Sequence, residues 1–223
     1  MNRKVLFTRI GMAALAVMAA TGHVAGNEPD GDAAALQAAP CGKKVLVTYF
    51  TWPEPDGVDA STGASRVIQS GRLYGNTEYV ALLIARATGG ELFAIRTDRQ
   101  YPTPHKALIE EARREAEAGE RPRLESAIQN LEEYDVVFVG YPNWWYDMPM
   151  AIYAFFEAYD FKDKTIVPFV THGGSRFSQS VETIRRLEPR ARVVEGPSVA
   201  ARHVPDAEPT VRAWIENQSF LKE

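Results

Sequence analysis

Three stretches of this 223-residue chain gather residue types that could do chemistry. The first ends in Gly75-Asn76-Thr77, where an apolar three-and-four spacing begins. Glycine there lets the backbone approach an anion, and Asn and Thr set donors beside helix-terminal N–H groups, whose partial positive charge suits a phosphate. The same Asn or Thr would serve equally as a simple helix cap. The second stretch, Gly140-Tyr141-Pro142-Asn143-Trp144-Trp145-Tyr146-Asp147-Met148-Pro149, sets two of the four tryptophans side by side with two tyrosines. Adjacent aromatics in a loop make a flat wall for stacking a planar ring, although at least one of the tryptophans is expected to pack beneath the loop as core. The third, Thr171-His172-Gly173-Gly174-Ser175, has paired glycines that permit a tight turn and expose N–H groups able to donate to a polar ring edge. Together they read as an anion cradle, an aromatic wall and a donor turn.

Other chemistries find less support. The chain has no Gly-x-x-x-x-Gly-Lys-Ser/Thr loop for nucleotide hydrolysis and no Gly-x-Gly-x-x-Gly dinucleotide turn. His105, His172 and His203 stand apart from one another and from ligand-spaced acids, so no metal site is expected. Against 25 Lys and Arg the chain carries 29 Asp and Glu, a net charge of −4, and no basic stripe interleaved with aromatics points to nucleic acid. The expected partners are small molecules or proteins.

The three stretches need elements to hold them, and the hydrophobic pattern supplies a repeating strand-then-helix order. Lys44 to Phe50 reads as a buried strand, Asn76 to Ala87 as a helix stopped by Gly89-Gly90, Glu91 to Arg96 as a strand and His105 to Ala118 as a charge-rich helix. Arg121 to Tyr134 reads as loop with a turn or two of helix. Val136 to Gly140 is nearly all apolar, as a strand covered on both faces must be. Ala151 to Ala158 follows as helix, Thr165 to Val170 as strand, Ser178 to Leu187 as helix, Arg192 to Val194 as strand and Pro209 to Phe220 as a closing helix. About five such units predict one α/β domain, a parallel sheet between two helical layers, because parallel neighbours need crossovers and right-handed crossovers cover both faces. Ligands of such sheets sit outside the carboxyl ends of the strands, so the loops beginning at Thr51, Tyr141 and Thr171 are the ones expected to carry the site.

The amino-terminal end has a different character. Arg3, Lys4 and Arg9 precede an uncharged apolar run, Ile10 to Ala20, with small residues at Val24-Ala25-Gly26. This is the layout of a secretory signal over residues 1–26, the alternative being a buried helix. Its removal takes three basic residues and no acidic one, leaving −7 on a periplasmic or secreted protein. The Arg3-Lys4 pair is one substitution short of a twin-arginine signal. Residues 27–42, rich in Ala, Gly, Asp and Pro, read as a linker, and residues 43–223 as the domain. The single cysteine, Cys41, allows no internal disulfide.

With these residues in view, the chain from about Lys43 to Phe220 resembles the flavodoxin-like proteins, in the branch with a Gly-Tyr-Pro-x-Trp-Trp loop and a Thr-x-Gly-Gly-Ser loop. The resemblance implies a three-layer sandwich with a five-stranded parallel sheet in the order 2-1-3-4-5. It implies FMN as the cofactor, with Thr51, Gly75, Asn76 and Thr77 at the phosphate, Pro142, Asn143, Trp144 and Trp145 at the ring, and Thr171, Gly173 and Gly174 as the third wall. It also implies an electron-transfer role with a redox partner protein or a small donor or acceptor, or alternatively an NAD(P)H- or quinone-linked oxidoreductase. The chain departs from the typical pattern in the first loop, where Trp52 to Tyr74 separate Thr51 from Gly75. Within that insertion Ser61-Thr62-Gly63-Ala64-Ser65 imitates a phosphate loop, and the insertion could instead fold over the ring as a lid with Arg66 or Arg72 available to it.

Overall fold

A computed structural model describes residues 42–53, 66–102 and 104–222. The proposed signal, most of the linker and the Ser61 to Ser65 stretch therefore lie outside the described residues. The first strand, β1 (Val45–Tyr49), is apolar on both faces. A hairpin of β2 (Arg66–Gln69) and β3 (Arg72–Gly75) follows and runs straight into α1 (Asn76–Thr88). Then come β4 (Glu91–Ala94), α2 (His105–Ala118), β5 (Val136–Pro142), α3 (Met150–Ala158), β6 (Thr165–His172) and α4 (Ser180–Leu187). The chain closes with β7 (Arg192–Val193), β8 (Ser198–Ala200), a 3-10 segment (Ala201–Asp206) and α5 (Glu208–Glu216). Among the described residues no helix is long and apolar enough to cross a membrane.

The main sheet runs β4-β1-β5-β6-β7, with β8 also paired to β6 and every pairing parallel. With the hairpin set aside this is the expected order 2-1-3-4-5. One apolar core lies between the sheet and α2, α3 and α4, built around Val137, Tyr141, Phe155 and Ile184. The other lies between the sheet and α1 and α5, around Val47, Phe138, Phe169 and Val211. Parallel strands covered on both faces explain why their sequences run apolar without alternation.

Several boundaries differ from the sequence reading for identifiable reasons. Strand β5 runs through Tyr141 and Pro142 and β6 through Thr171 and His172, so the aromatic and glycine loops begin later than the pattern suggested. Tyr141 is fully buried core, its hydroxyl 2.8 Å from Ser180 Oγ, and not a loop residue. The fifth strand is split. Ile166, Pro168 and Val170 all face its side of β6, as Val194 N to Ile166 O, Gly196 N to Pro168 O and Val170 N to Pro197 O show. Proline has no N–H, so the ladder loses a donor at Pro168, between β7 and β8. The insertion contributes a hairpin turning at Ser70-Gly71, packed on α1 and the 201–206 segment, with Gln69 Nε2 donating to Pro205 O. The Arg72 guanidinium lies 4.7 Å over the Tyr74 ring of the same hairpin, and neither Arg66 nor Arg72 lines the cavity described below.

Helix α2 is fixed by a polar cluster. Glu115, fully buried, accepts from Tyr101 Oη at 2.8 Å and from Arg99 Nε at 3.1 Å, and Arg99 also pairs with Glu111 and Glu120. Burial raises the Glu115 carboxyl above its ordinary range, while Tyr101 and Arg99 pull it down.

Two outcomes follow for stability. A Cβ at Gly140 would overlap the Phe169 ring in the middle of the sheet, so Gly140→Ala is expected to lower stability by about 2–3 kcal/mol in chemical denaturation, an unchanged midpoint contradicting the close packing. Arg99→Met leaves Glu115 buried without its cation and is expected to destabilise by about 2–3 kcal/mol. Because the folded carboxyl sits above its ordinary range, Glu115's own contribution to stability is fullest at low pH and is lost as pH rises through its folded value; the Arg99→Met deficit should be larger at pH 8 than at pH 5, and the opposite slope would refute the assignment.

Candidate functional site

At the carboxyl edge of β1, β5 and β6 the chain leaves a cavity of about 580 Å³. That volume suits a small-molecule or cofactor site. Its lining draws on every loop singled out from the sequence. Thr51, Asn76 and Thr77 come from the first, Pro142, Asn143, Trp144 and Trp145 from the second, and Thr171, Gly173 and Gly174 from the third. Gly75 does not line it. A Cβ at Gly75 would collide with the Thr51 side chain, so glycine here lets the start of α1 seat directly against Thr51.

The start of α1 is capped in a particular way. Gly75 is the cap residue and offers no side chain to the first-turn N–H groups, and only the reverse half of a capping box exists, with Gly75 N donating to Glu78 Oε2 at 3.1 Å. Asn76 and Thr77 are thus the first helical residues and not caps, which settles the capping alternative on geometry. Both are buried. Thr77 Oγ1 and Thr171 Oγ1 are 2.8 Å apart, so this hydroxyl ties the first loop to the third.

The aromatic wall divides between support and display. Trp144 is partly buried and packs edge-on against Tyr101 (5.2 Å, 82°) and Phe50 (5.7 Å, 86°), fulfilling the expectation that one tryptophan belongs to the core. Trp52 extends the cluster against Tyr101 at 5.3 Å. Trp145 is 48% exposed, and its indole Nε1 donates to Ile109 O of α2 at 2.8 Å. Asn143 lines the cavity, but its amide is engaged with protein at both ends: Nδ2 donates to Arg176 O at 2.8 Å and Oδ1 accepts from Tyr146 N at 3.1 Å. Its backbone N donates to Thr171 O at 2.8 Å, joining the second loop to the third.

Sequence reasoning did not assign Trp52, His105, Leu108, Ile109, Ala112, Ser175 or Ala201 to the lining. Four of these belong to α2, whose helical face carries no local signal of what lies across from it. Tyr146 and His172, from the second and third stretches, also line the cavity. His172 ends β6, is 9% exposed, and its Nδ1 has no hydrogen-bond partner among the described residues. Burial, then Arg176 and Arg202, lower its pKa, which favours the neutral ring. Among the described residues no group of three His, Cys, Asp or Glu could hold a metal ion.

The arrangement can bind a flat ring against aromatic side chains and a negative group at the α1 terminus, and this is the test for a flavin. The residues fit it: a helix start capped by glycine, a Gly75 position that admits no side chain, and the exposed aromatic residues Trp145 and Tyr146 in the lining.

The comparisons with known proteins agree on the fold. No curated protein matches the chain. Among solved structures, a candidate flavoprotein from Bacteroides eggerthii DSM 20697 is 29% identical, with 78% of this chain and 96% of that one covered and a TM-score of 0.59. A candidate flavoprotein from Bacteroides uniformis ATCC 8492 is 28% identical over 79% of this chain and 99% of that one, with a TM-score of 0.60. A flavoprotein from Lactobacillus acidophilus NCFM, solved in complex with FMN, shares the fold at 15% identity and a TM-score of 0.54, with 75% of this chain and 99% of that one covered. The family model described as flavodoxin matches residues 70–218, and with the parallel sheet and its carboxyl-edge cavity this establishes that the chain belongs to the flavodoxin family.

Proposed function

We propose that this protein binds FMN non-covalently in the cavity at the carboxyl edge of β1, β5 and β6 and serves as an electron-transfer protein. The observation that carries the reading is the meeting, in one cavity of about 580 Å³, of a helix start without a side-chain cap and a wall of exposed aromatic rings. The first suits a phosphate and the second a planar ring, and FMN has both. Bound FMN would supply the redox chemistry, taking up and releasing one or two electrons.

The chain's own residues then have distinct tasks. Thr51 and the first-turn N–H groups at Asn76 and Thr77 hold the phosphate. Trp145 faces the ring while Trp144 braces it from below through Tyr101 and Phe50. The Gly173-Gly174 turn, with Gly174 at φ 152°, brings main-chain N–H groups toward the ring's polar edge. Thr77 and Thr171 keep phosphate and ring ends in fixed relation through their shared hydrogen bond.

One observation favours a second reading, an oxidoreductase acting on a small acceptor. His172 is buried in the cavity wall with Nδ1 unpaired among the described residues, and a neutral imidazole there can hold or hand over a proton beside the ring. The export reading stands as part of the same proposal, with residues 1–26 as signal and the domain acting outside the cytoplasm.

Two experiments test this. Thr51→Ala is expected to weaken FMN about tenfold, by losing a hydrogen bond to a charged group, and to leave riboflavin nearly unchanged, since only FMN carries the phosphate. Equal losses in the two titrations would move the phosphate away from α1. In anaerobic stopped flow, protein loaded with FMN is mixed with NADH or NADPH and then with a quinone while the flavin spectrum is followed. Reduction only by dithionite or a protein donor is the expected result for a carrier; rapid reduction by the pyridine nucleotide with quinone turnover would replace that reading with the oxidoreductase.

A further inference from the structure

The cavity is lined in part by a turn with an unusual backbone. Trp144 N donates to Asp147 O at 2.9 Å and Asp147 N returns a bond to Trp144 O at 3.1 Å, so Trp145 and Tyr146 form a two-residue loop. Both have positive φ, 54° and 65°. Two successive left-handed residues define the type I′ turn, which favours Asn-Gly because a bulky side chain is strained in that region. The same chain shows the ordinary solution elsewhere: the β2–β3 hairpin turns through Ser70-Gly71 at φ 50° and 75°. Where only a turn is needed the chain uses serine and glycine, and at the cavity it uses tryptophan and tyrosine.

Surrounding groups hold this backbone in place. Asn143 Oδ1 accepts from Tyr146 N, Gln179 N donates to Tyr146 O at 3.4 Å, and Asp147 Oδ2 accepts from Tyr153 Oη at 2.8 Å and from Gln179 Nε2 at 3.2 Å. The hydrogen bonds that hold Tyr146 among the described residues all run through its main chain, and its side chain lines the cavity while 67% of the residue is exposed. The ring therefore does little for the folded state that would offset the left-handed conformation it must adopt. Strain of this kind persists where surrounding structure over-determines it, and it concentrates at ligand clamps.

We propose that the Trp145-Tyr146 turn is a strained aromatic clamp, in which Tyr146 is a ligand-positioning residue laid against the outer side of the planar ring and the free protein gives up stability to keep it there. The inference rests on the flavin reading above. The test uses Tyr146→Gly, which relieves the backbone and removes the ring, Tyr146→Asn, which tolerates the left-handed region without glycine's added chain entropy, and Tyr146→Phe, which keeps both ring and strain. Thermal melting of the FMN-free protein is expected to rise by about 2–4 °C in the Gly and Asn variants and to stay put in Phe. In fluorescence titration with FMN, Kd is expected to rise about tenfold in Gly and Asn and to change little in Phe. A lower melting point in both Gly and Asn would show that the ring itself supports the turn, and unchanged FMN affinity in both would show that it does not touch the ligand; either overturns the clamp. Failure of the unsubstituted protein to bind FMN would instead overturn the flavin reading, and the clamp with it, a result no Tyr146 variant can mimic.

Discussion

The pairing of β5 with β6 is the contact on which the site depends. Seven residues on each strand are in register, from Val136 opposite Thr165 to Pro142 opposite Thr171, and this fixes the level at which both loops leave the sheet. The approach is close at Gly140, where the Phe169 ring fills the volume a side chain would need. Tyr141 then turns into the other core toward Ser180, and Pro142 ends the strand at the cavity. Thr171, opposite Pro142, is bonded on one side to Asn143 through the main chain and on the other to Thr77 through its hydroxyl. Three loops from distant parts of the chain therefore share one threonine, and a shift at any of them would be felt by the other two.

Helix α2 forms the remaining wall by different means. It supplies His105, Leu108, Ile109 and Ala112 to the cavity, and its inner face carries a buried carboxylate where an apolar residue would be the ordinary choice. A buried charge is tolerable only when paired and hydrogen-bonded, and Glu115 has both Arg99 and Tyr101. The directionality of those bonds fixes helix rotation more tightly than apolar contact would. Tyr101 in turn carries the edge of Trp144, and Ile109 receives the indole of Trp145, so the polar cluster and the aromatic wall are one connected structure.

The parallel sheet and its helices were legible in the sequence because each element carries its own periodicity: α2 over His105–Ala118 coincides with the pattern at both ends. The three loops were legible for a related reason, since glycine, paired tryptophans and helix starts are local signals. What escaped depends on contacts between distant segments. The division of the fifth strand falls at Gly196-Pro197 and opposite Pro168 on its neighbour, and the second of these is a contact that no residue near Arg192 announces. The insertion's hairpin has a Ser-Gly turn signal at Ser70-Gly71, but its strands are only four residues each and its exposed pair, Ile68 and Leu73, gives no clean alternation. Asn143 was legible as a cavity residue and illegible as a brace, because its partners Arg176 and Ser178 are more than thirty positions away.

The polar groups around the cavity fall into two sets, and the division bears on how a ligand would be received. Asn143, Thr77, Thr171 and the Trp145 indole are already engaged with protein, so they hold the walls whether or not anything is bound. Gly75 caps α1 without a side chain, and His172 Nδ1, next along the chain from the Thr171 that bonds Thr77, is unpaired among the described residues. Buried polar groups without partners are disfavoured, and a site that leaves them so gains on binding what folding alone does not provide. Because the walls are braced by the first set, little ordering entropy stands against that gain.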